Sequence, residues 1–456
     1  MKIILPPLQT VDKICGNQRY KEGIEYRPTK HYIRIPCPDG QLLYHTFTKG
    51  LLLIEKQDRE QDLRNALVNN WFLVPQDFDE CGQVDGVRKI VSVLRGGNRK
   101  KTSFTILTTT DCNARCFYCY EMGTRRYAMT PETARDVGEY IAQVCGGEKV
   151  RLSWFGGEPL LNSAVIDIIC GVLRQNGIEY SSIMTSNGYY LDAQTAQKAV
   201  EDWHVTTTQI TIDGTESVYN RTKAYINQDE ESPYRRVLRN IETALDAGME
   251  ILIRLNMDEA NANDLVCLAD ELGYCFHDRG NLHAHVILLQ KYVGDIHAFD
   301  SRETAEQRRK ALTQKLEGMG FALPERLNRR LHINHCMADN DACEVILPDG
   351  RIEKCEHIDE EQVIGNIYDS EREEAKIREW KEIIRFADCA GCELYPVCCN
   401  LALCPRTKAG CDSLRQDEFK DRIRKTLLKT YLEMKANQEA VAYEDEGLFY
   451  TGGSWR

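Results

Sequence analysis

Three cysteines on one short loop, Thr110-Asp111-Cys112-Asn113-Ala114-Arg115-Cys116-Phe117-Tyr118-Cys119-Tyr120, constrain this chain more than any other stretch. Cys112, Cys116 and Cys119 are separated by three and then two residues, so three thiolates can converge on one metal centre. Thiolate sets of this kind hold iron–sulfur clusters or zinc. Three ligands instead of four leave part of the centre open to a group that is not protein, which makes the site chemical and not only structural. A zinc knuckle needs a fourth ligand nearby, and no His or Cys follows before Cys145.

The loop sits in a regular alternation of strands and helices that starts at Thr102. The apolar patterning predicts strands at Phe104–Thr108, Val150–Phe155, Tyr180–Ser186, Thr207–Asp213, Ile251–Asn256 and His283–Gln290. Between them fall helices at Pro131–Cys145, around Val165–Leu173, and at Ala193–Val200, Pro233–Ala247 and Ala262–Leu272, with a charged helix at Glu303–Gly318 after the last strand. Thr130 caps the first, with Pro131 at its opening position, and Gly248 ends the helix that begins at Pro233. The fold class is α/β. Repeated βα units predict a parallel sheet curled into a partial barrel, with chemistry at the C-terminal strand ends. The cysteine loop lies at such an end.

Residues 1–100 read as a small α+β module. A strand–turn–strand spans Tyr32–Ile35 and Leu42–Phe47 around Pro38-Asp39-Gly40, a helix follows around Asp58–Asn69, and a short strand covers Trp71–Val74. A basic, polar linker at Gly96–Lys101 closes it. Residues 101–325 form the barrel. Residues 326–456 are cysteine-rich, with a last helix near Leu414–Asn437 and an acidic then aromatic tail at Tyr443–Arg456.

A length of 456 residues fits two or three domains. The net charge of −12 argues against nucleic acid as the main partner, although residues 1–100 carry a slight basic excess. The start, Met1-Lys2-Ile3-Ile4-Leu5-Pro6-Pro7, does not read as a signal peptide, and no apolar run reaches membrane-spanning length. The expected compartment is the cytoplasm, where 19 cysteines read as metal ligands and not as disulfides.

The CxxxCxxC loop resembles the signature of the radical S-adenosylmethionine (SAM) enzymes, and a second motif agrees with it. Trp154-Phe155-Gly156-Gly157-Glu158-Pro159 follows the second barrel strand and is similar to the Gly-Gly-Glu motif of that superfamily. A lone Gly-Gly-Glu-Pro is a weak signal, because tight turns use the same residues. The resemblance implies a [4Fe–4S] cluster on Cys112, Cys116 and Cys119, with Tyr118 beside it. It also implies that Gly156, Gly157 and Glu158 receive the methionine end of SAM, Glu158 accepting from its ammonium. Further expected SAM contacts are Ser186 and Asn187 after the third strand, Thr211 and Asp213 at the fourth, and Arg254 and Asn256 at the fifth. Two positions depart from the commonest family pattern. Thr211 stands for Ser and Lys223 for Arg, which keeps a hydroxyl and a cation but loses the guanidinium fork. Arg221 or Arg254 is the alternative holder of the SAM carboxylate. Taken one at a time, all of these are also ordinary polar residues of βα loops.

The later cysteines resemble a SPASM domain. Cys336 precedes Gly350 by 13 residues and Gly350 precedes Cys355 by four; Cys389-x2-Cys392-x5-Cys398, Cys404-Pro405 and Cys411 follow. Five residues separate Cys398 from Cys404 where the family has three, and Cys399 is an extra thiol. The resemblance implies two auxiliary [4Fe–4S] clusters, one on Cys336, Cys343, Cys355 and Cys404, the other on Cys389, Cys392, Cys398 and Cys411. Without Cys343 the first would keep an open iron. A zinc ribbon is the structural alternative. The remaining cysteines, Cys15, Cys37, Cys81, Cys145, Cys170, Cys267, Cys275 and Cys399, read as buried small hydrophobes.

From this resemblance follows an expected reaction: reductive cleavage of SAM to a 5′-deoxyadenosyl radical that takes a hydrogen from a substrate. SPASM relatives mostly modify peptides, and the N-terminal module weakly resembles a leader-peptide recognition element that adds the leader as a strand to a sheet edge. The expected function is a peptide maturase that installs a cross-link, thioether or carbon–carbon, in a ribosomally made precursor, with ferredoxin or flavodoxin as electron donor. Formylglycine-forming oxidation, as in sulfatase maturases, is a second reading, with Glu356 and His357 after Cys355 as candidate catalytic groups. An electron-transfer scaffold is the reading from another class, and Gly156-Gly157-Glu158 argues against it.

Overall fold

The computed structural model describes residues 1–456 except 17, 97–99, 228–229, 290–296, 324–335, 358–359, 385, 387–388, 390, 396–397, 399–400, 405–410, 412 and 438–456. Cys399, Pro405, the Gln290 end of the sixth barrel strand, the Arg326 start of the cysteine-rich region and the Tyr443–Arg456 tail lie outside the described residues. The chain forms two compact units. One contains Met1–Arg99, Glu325–Asn340 and Glu379–Arg456; the other contains Lys100–Pro324 and Asp341–Arg378.

In the first unit the N-terminal module comprises β1 (Lys2–Leu5), α1 (Gln9–Cys15), β2 (Tyr26–Pro28), β3 (Tyr32–Cys37), β4 (Gly40–His45), β5 (Leu51–Glu55), α2 (Glu60–Asn69), β6 (Leu73–Pro75) and α3 (Glu80–Gly96). Among the described residues, β1, β5, β4 and β3 pair antiparallel in that order, and β2 pairs with β6. Strand alternation divides the apolar residues between two faces. Ile33, Ile35, Leu42, Tyr44, Leu51 and Leu53 bury one face together with Leu427 and Tyr431 of the long helix Ser413–Asn437. Leu43 and Leu52 bury the other face against Leu63 and Leu67 of α2 and against Phe72. The sheet is thus covered by a helix from each end of the chain. Helix α3 is an addition to the elements expected in residues 1–100, and its Val84, Val87 and Val91 pack on Leu8, Val11 and Phe47.

The second unit contains β7 (Ser103–Leu107), α4 (Pro131–Val144), β8 (Val150–Phe155), α5 (Ser163–Gln175), β9 (Tyr180–Ser186), α6 (Ala193–Glu201), β10 (Val205–Thr211), α7 (Glu216–Lys223), α8 (Pro233–Asp246), β11 (Glu250–Met257), α9 (Ala262–Phe276), β12 (Leu282–Leu288) and α10 (Arg302–Gly318). Strands β7 to β12 lie side by side in chain order and run parallel, as the alternation predicts for a partial barrel. Thr130 accepts from the Thr133 N–H at 3.1 Å, so the expected cap of α4 forms. Helix α8 buries Val237, Ile241 and Leu245 in the common core, each contributing roughly 1.5–3 kcal/mol of transfer free energy. On β8 and β9 every second residue is buried and the intervening ones are half-exposed, so the sheet has one covered face and one accessible face.

The sheet continues past β7. Strand β13 (Cys343–Ile346) runs parallel to β7, Cys343 opposite Ser103 and Ile346 opposite Ile106. Strands β14 (Arg351–Glu353) and β15 (Gly365–Asn366) extend it antiparallel, and α11 (Glu374–Glu379) follows. Residues 341–378 therefore fold with the barrel, although they read as the beginning of the cysteine-rich region. Val345, Ile346, Leu347 and Ile352 are apolar and buried, and the Pro348-Asp349-Gly350 turn returns the chain.

Two of the spare cysteines are not buried. Cys267 and Cys275 are exposed on α9, because Leu265, Leu268, Ala269 and Leu272 take its inward face. Cys145 and Cys170 are buried as expected, whereas Cys15, Cys37 and Cys81 are half-buried.

Candidate cluster and cofactor site

The cysteine loop leaves the C-terminal end of β7 and is held against the loop that leaves β8. The Gly157 N–H donates to the Thr109 carbonyl at 3.0 Å, and the Glu158 N–H to the Asp111 carbonyl at 2.9 Å. This contact requires both glycines. A Cβ on Gly156 would stand 2.2 Å from the Thr109 oxygen, at a backbone φ of +135°, and one on Gly157 would stand 2.2 Å from the Asp111 oxygen. The pair read in the sequence as room for a ligand is spent on close approach of the two loops.

Glu158 is fully buried. Its carboxylate accepts from the Ser186 hydroxyl at 2.8 Å, the Asn187 N–H at 2.7 Å and the Leu160 N–H at 3.1 Å. Burial raises its pKa to about 7 against those three donors. A carboxylate offers about four lone-pair positions, so room remains for one more donor such as an ammonium.

A second buried cluster ties the cysteine loop to β10 and α7. The Lys223 ammonium lies 3.0 Å from Asp213 and donates to the Tyr118 hydroxyl at 2.9 Å, while that hydroxyl donates to Asp213. The Lys223 carbonyl also accepts the Arg115 N–H at 2.8 Å. Asp213 is inaccessible and its Oδ1 has no hydrogen-bond partner. The Asn113 amide nitrogen is likewise buried and unpartnered, and its oxygen accepts from Asn187 at 2.7 Å. A buried acceptor and a buried donor left without partners are costly. They match a ligand that carries hydroxyl donors and a carboxylate, as SAM does. Arg221 is exposed on α7, whereas Arg254 donates to Asn256 at 2.8 Å and sits opposite Thr211 on the neighbouring strand. Asn261, which no motif indicated, joins the two strand ends by donating to the carbonyls of Asp213 at 2.9 Å and Asn256 at 2.8 Å.

The three thiols share one environment. Burial pushes Cys112 up to about 12 and Cys119 up to about 11; Cys116 also rises through burial, against the pull of Lys223. The other two thiols each disfavour ionisation of Cys112, and the Ala114 N–H points to its sulfur at 3.3 Å. Among the described residues no three His, Cys, Asp or Glu side chains close on a single ion. A cubane differs from a lone ion in this respect, because its thiolates stand around it instead of meeting at a point. Its iron would offset the charge penalty of three neighbouring thiolates.

Beside the loop, Tyr120 packs on His357 with ring centroids 4.2 Å apart. Glu356 lies within electrostatic range of Tyr120. Glu121 is raised to about 7 by burial, and its Oε1 has no partner. The structure therefore brings both candidate catalytic residues near the cysteine loop, through an aromatic contact that the sequence did not announce.

The auxiliary cysteines divide between the units. Cys336 and Cys404 belong to the first, Cys343 and Cys355 to the second. Cys343 is buried within β13, where burial raises its thiol pKa. Cys389, Cys392, Cys398 and Cys411 all lie in the first unit, and Cys398 is pushed up to about 12 by burial and then by Cys392, Cys389 and Cys411. Cys392, Cys389 and Cys411 thus all lie within electrostatic range of Cys398.

The expected SAM contacts other than Arg221 and Lys223, both on α7, belong to the C-terminal ends of β7 to β11 or their loops, where parallel barrels carry their chemistry. The class so defined is a parallel α/β partial barrel with a sulfur-bearing loop at its mouth. Residues 106–271 of the chain match the radical SAM superfamily. Over 191 residues it is 31% identical to the GTP 3′,8-cyclase of Pectobacterium atrosepticum, covering 40% of this chain and 54% of that protein. The chain thus spans about half the length of the curated relatives it matches. In fold it is similar to native anSMEcpe with bound AdoMet, with a TM-score of 0.51, 16% identity, and coverage of 65% of this chain and 88% of that one. The same protein with bound AdoMet and Cp18Cys peptide gives a TM-score of 0.50 at 16% identity, with the same coverage. Among the described residues no helix is long and apolar enough to cross a membrane.

Proposed function

We propose that this protein is a SPASM-type radical SAM peptide maturase, which takes a hydrogen from a ribosomally made precursor and installs a cross-link, a thioether in preference to a carbon–carbon bond. The observation that carries the reading is the cysteine loop clamped by Gly156 and Gly157 next to buried, unpartnered polar atoms at Asp213 and Asn113. Cys112, Cys116 and Cys119 would hold a [4Fe–4S] cluster; Asn113, Glu158 and Asp213 would hold SAM, and Lys223 would fix Asp213 and the loop. When bound, this pair supplies a 5′-deoxyadenosyl radical on receipt of one electron from a donor such as ferredoxin or flavodoxin. The half-exposed face of β8 and β9 is the surface a substrate would meet.

The remaining cysteines support a peptide substrate and two auxiliary [4Fe–4S] clusters, with Cys398 and the three thiols within its electrostatic range, Cys389, Cys392 and Cys411, as the firmer set. The likeness to a fold solved with a bound peptide agrees with that substrate class. The cyclase likeness covers 40% of this chain, too little to bring its substrate along. The second reading is formylglycine-forming oxidation, favoured by the approach of His357 and Glu356 to Tyr120.

Anaerobic incubation with SAM, a reductant and cysteine-containing candidate peptides tests these readings. Formation of 5′-deoxyadenosine with a peptide that has lost a pair of hydrogens supports cross-linking. Replacement of a thiol by an aldehyde selects the second reading. Absence of 5′-deoxyadenosine under every peptide and reductant leaves only the scaffold.

A further inference from the structure

The N-terminal module contributes a buried cation to the cysteine-rich part of its own unit. Arg88, on α3, is only 8% exposed, and among the described residues none of its three guanidinium nitrogens has a hydrogen-bond partner. Isolated burial of a guanidinium costs several kcal/mol unless a negative group offsets it. The acidic groups within electrostatic range are Asp339 and Asp85, followed by the Cys398 thiol and the Tyr395 phenol. Neither aspartate forms an ion pair with it; Asp339 is turned to the Cys336 N–H, which its Oδ1 accepts at 3.0 Å.

Glu393 and Tyr395 are docked on the same module. The Thr46 hydroxyl donates to the Glu393 carbonyl at 2.8 Å, and the Lys30 ammonium lies 5.5 Å from the centre of the Tyr395 ring. Lys420 of the long C-terminal helix pairs with Glu393 at 2.8 Å. Arg88 is therefore a buried cation, without a hydrogen-bond partner among the described residues, within electrostatic range of Cys398 and in the module on which Glu393 and Tyr395 dock.

We infer that Arg88 is the counter-cation of an iron–sulfur cluster held by Cys389, Cys392, Cys398 and Cys411, and that it sets the reduction potential of that cluster. The inference rests on the auxiliary-cluster reading above. A cluster with four thiolates is net negative and gains further negative charge on reduction. A fixed cation next to one ligand stabilises the reduced form more than the oxidised form, so its removal makes reduction harder. The module would then tune electron transfer, whatever else it binds.

The test uses the full chain with its clusters reconstituted anaerobically. C398S and C389S first identify the auxiliary signal: both should lose one cluster's share of iron and one component of the reduced paramagnetic resonance spectrum. If neither loses iron, the cluster reading fails and the inference falls with it. Arg88→Met, a change of similar volume, should keep its iron while the equilibrium for reducing that component falls by about tenfold, equivalent to 59 mV for one electron. Arg88→Lys should lie between the two. Full iron content with an unchanged midpoint in Arg88→Met overturns the inference. Should Arg88→Met lose the cluster, Arg88→Lys decides: retained iron with a midpoint near the parent's supports the role, and equal loss overturns it.

Discussion

Lys223 holds the cysteine loop at two levels, through its ammonium 3.0 Å from Asp213 and through its carbonyl, which accepts the Arg115 N–H at 2.8 Å. Both side chains are inaccessible to water apart from 4% of Lys223. Removing one partner leaves the other charge buried and uncompensated. Lys223→Met is expected to cost about 3–5 kcal/mol, measured by urea unfolding, and to lower the iron retained by the loop. The double variant K223M/D213N should recover much of the stability but not SAM binding.

Gly157→Ala tests the clamp between the loops. The added methyl would meet the Asp111 carbonyl at 2.2 Å, so the two loops must part. Overpacking of this kind costs about 1–3 kcal/mol. The expected result is a fold with unchanged circular dichroism, weaker SAM binding by equilibrium dialysis and little 5′-deoxyadenosine. Wild-type SAM affinity would show that the approach of the loops does not shape the site.

Exposed and clustered cysteines should respond differently. Cys267→Ser changes an exposed position on α9 and should leave iron content and stability within about 0.5 kcal/mol of the parent. Cys116→Ser removes a thiol from the loop and should lower bound iron by a whole cluster. Equal behaviour of the two variants in an iron assay would remove the distinction drawn between them.

Acid should loosen the N-terminal module before the barrel. His31 and His45 are buried in β3 flanks and β4, with ring centroids 6.1 Å apart, and burial holds both imidazoles below the usual histidine range. Glu80 pulls His31 upward, whereas Lys30 acts with burial; His31 and Lys49 add to the depression of His45. A depressed histidine pKa means the unfolded state binds the proton more readily. The contribution is therefore intact above about pH 6.5 and is lost as pH falls below it. Between pH 7 and pH 5 the loss is about 2 kcal/mol for each imidazole that stays neutral in the fold. Hydrogen exchange of β3 and β4 should rise over that interval, and H31F should flatten the response.

The barrel was legible because each βα unit carries its own evidence: an apolar run of strand length, then a helical stripe with a cap. Its seventh parallel strand was not, since Cys343–Ile346 is four residues long and its partner, β7, precedes it by more than two hundred positions. The residues proposed to hold SAM were legible as motifs, but their contacts were not. Glycines 156 and 157 could be read as space for a ligand, and only the facing carbonyls of Thr109 and Asp111 show what the space is for. Asn113, Asn261 and Arg88 carried no signal at all, because a buried polar residue is defined by what surrounds it and not by its neighbours in sequence.

The sheet made by the first sixty residues is covered on one face by Leu427 and Tyr431. During synthesis that face stays without its cover until Leu427 and Tyr431 have left the ribosome, while the barrel closes mostly on neighbours made just before. The sheet is thus covered on that face only after the barrel strands have been made. Any partner that reads its surface meets it only on a polypeptide whose cysteine-bearing segments have already been made.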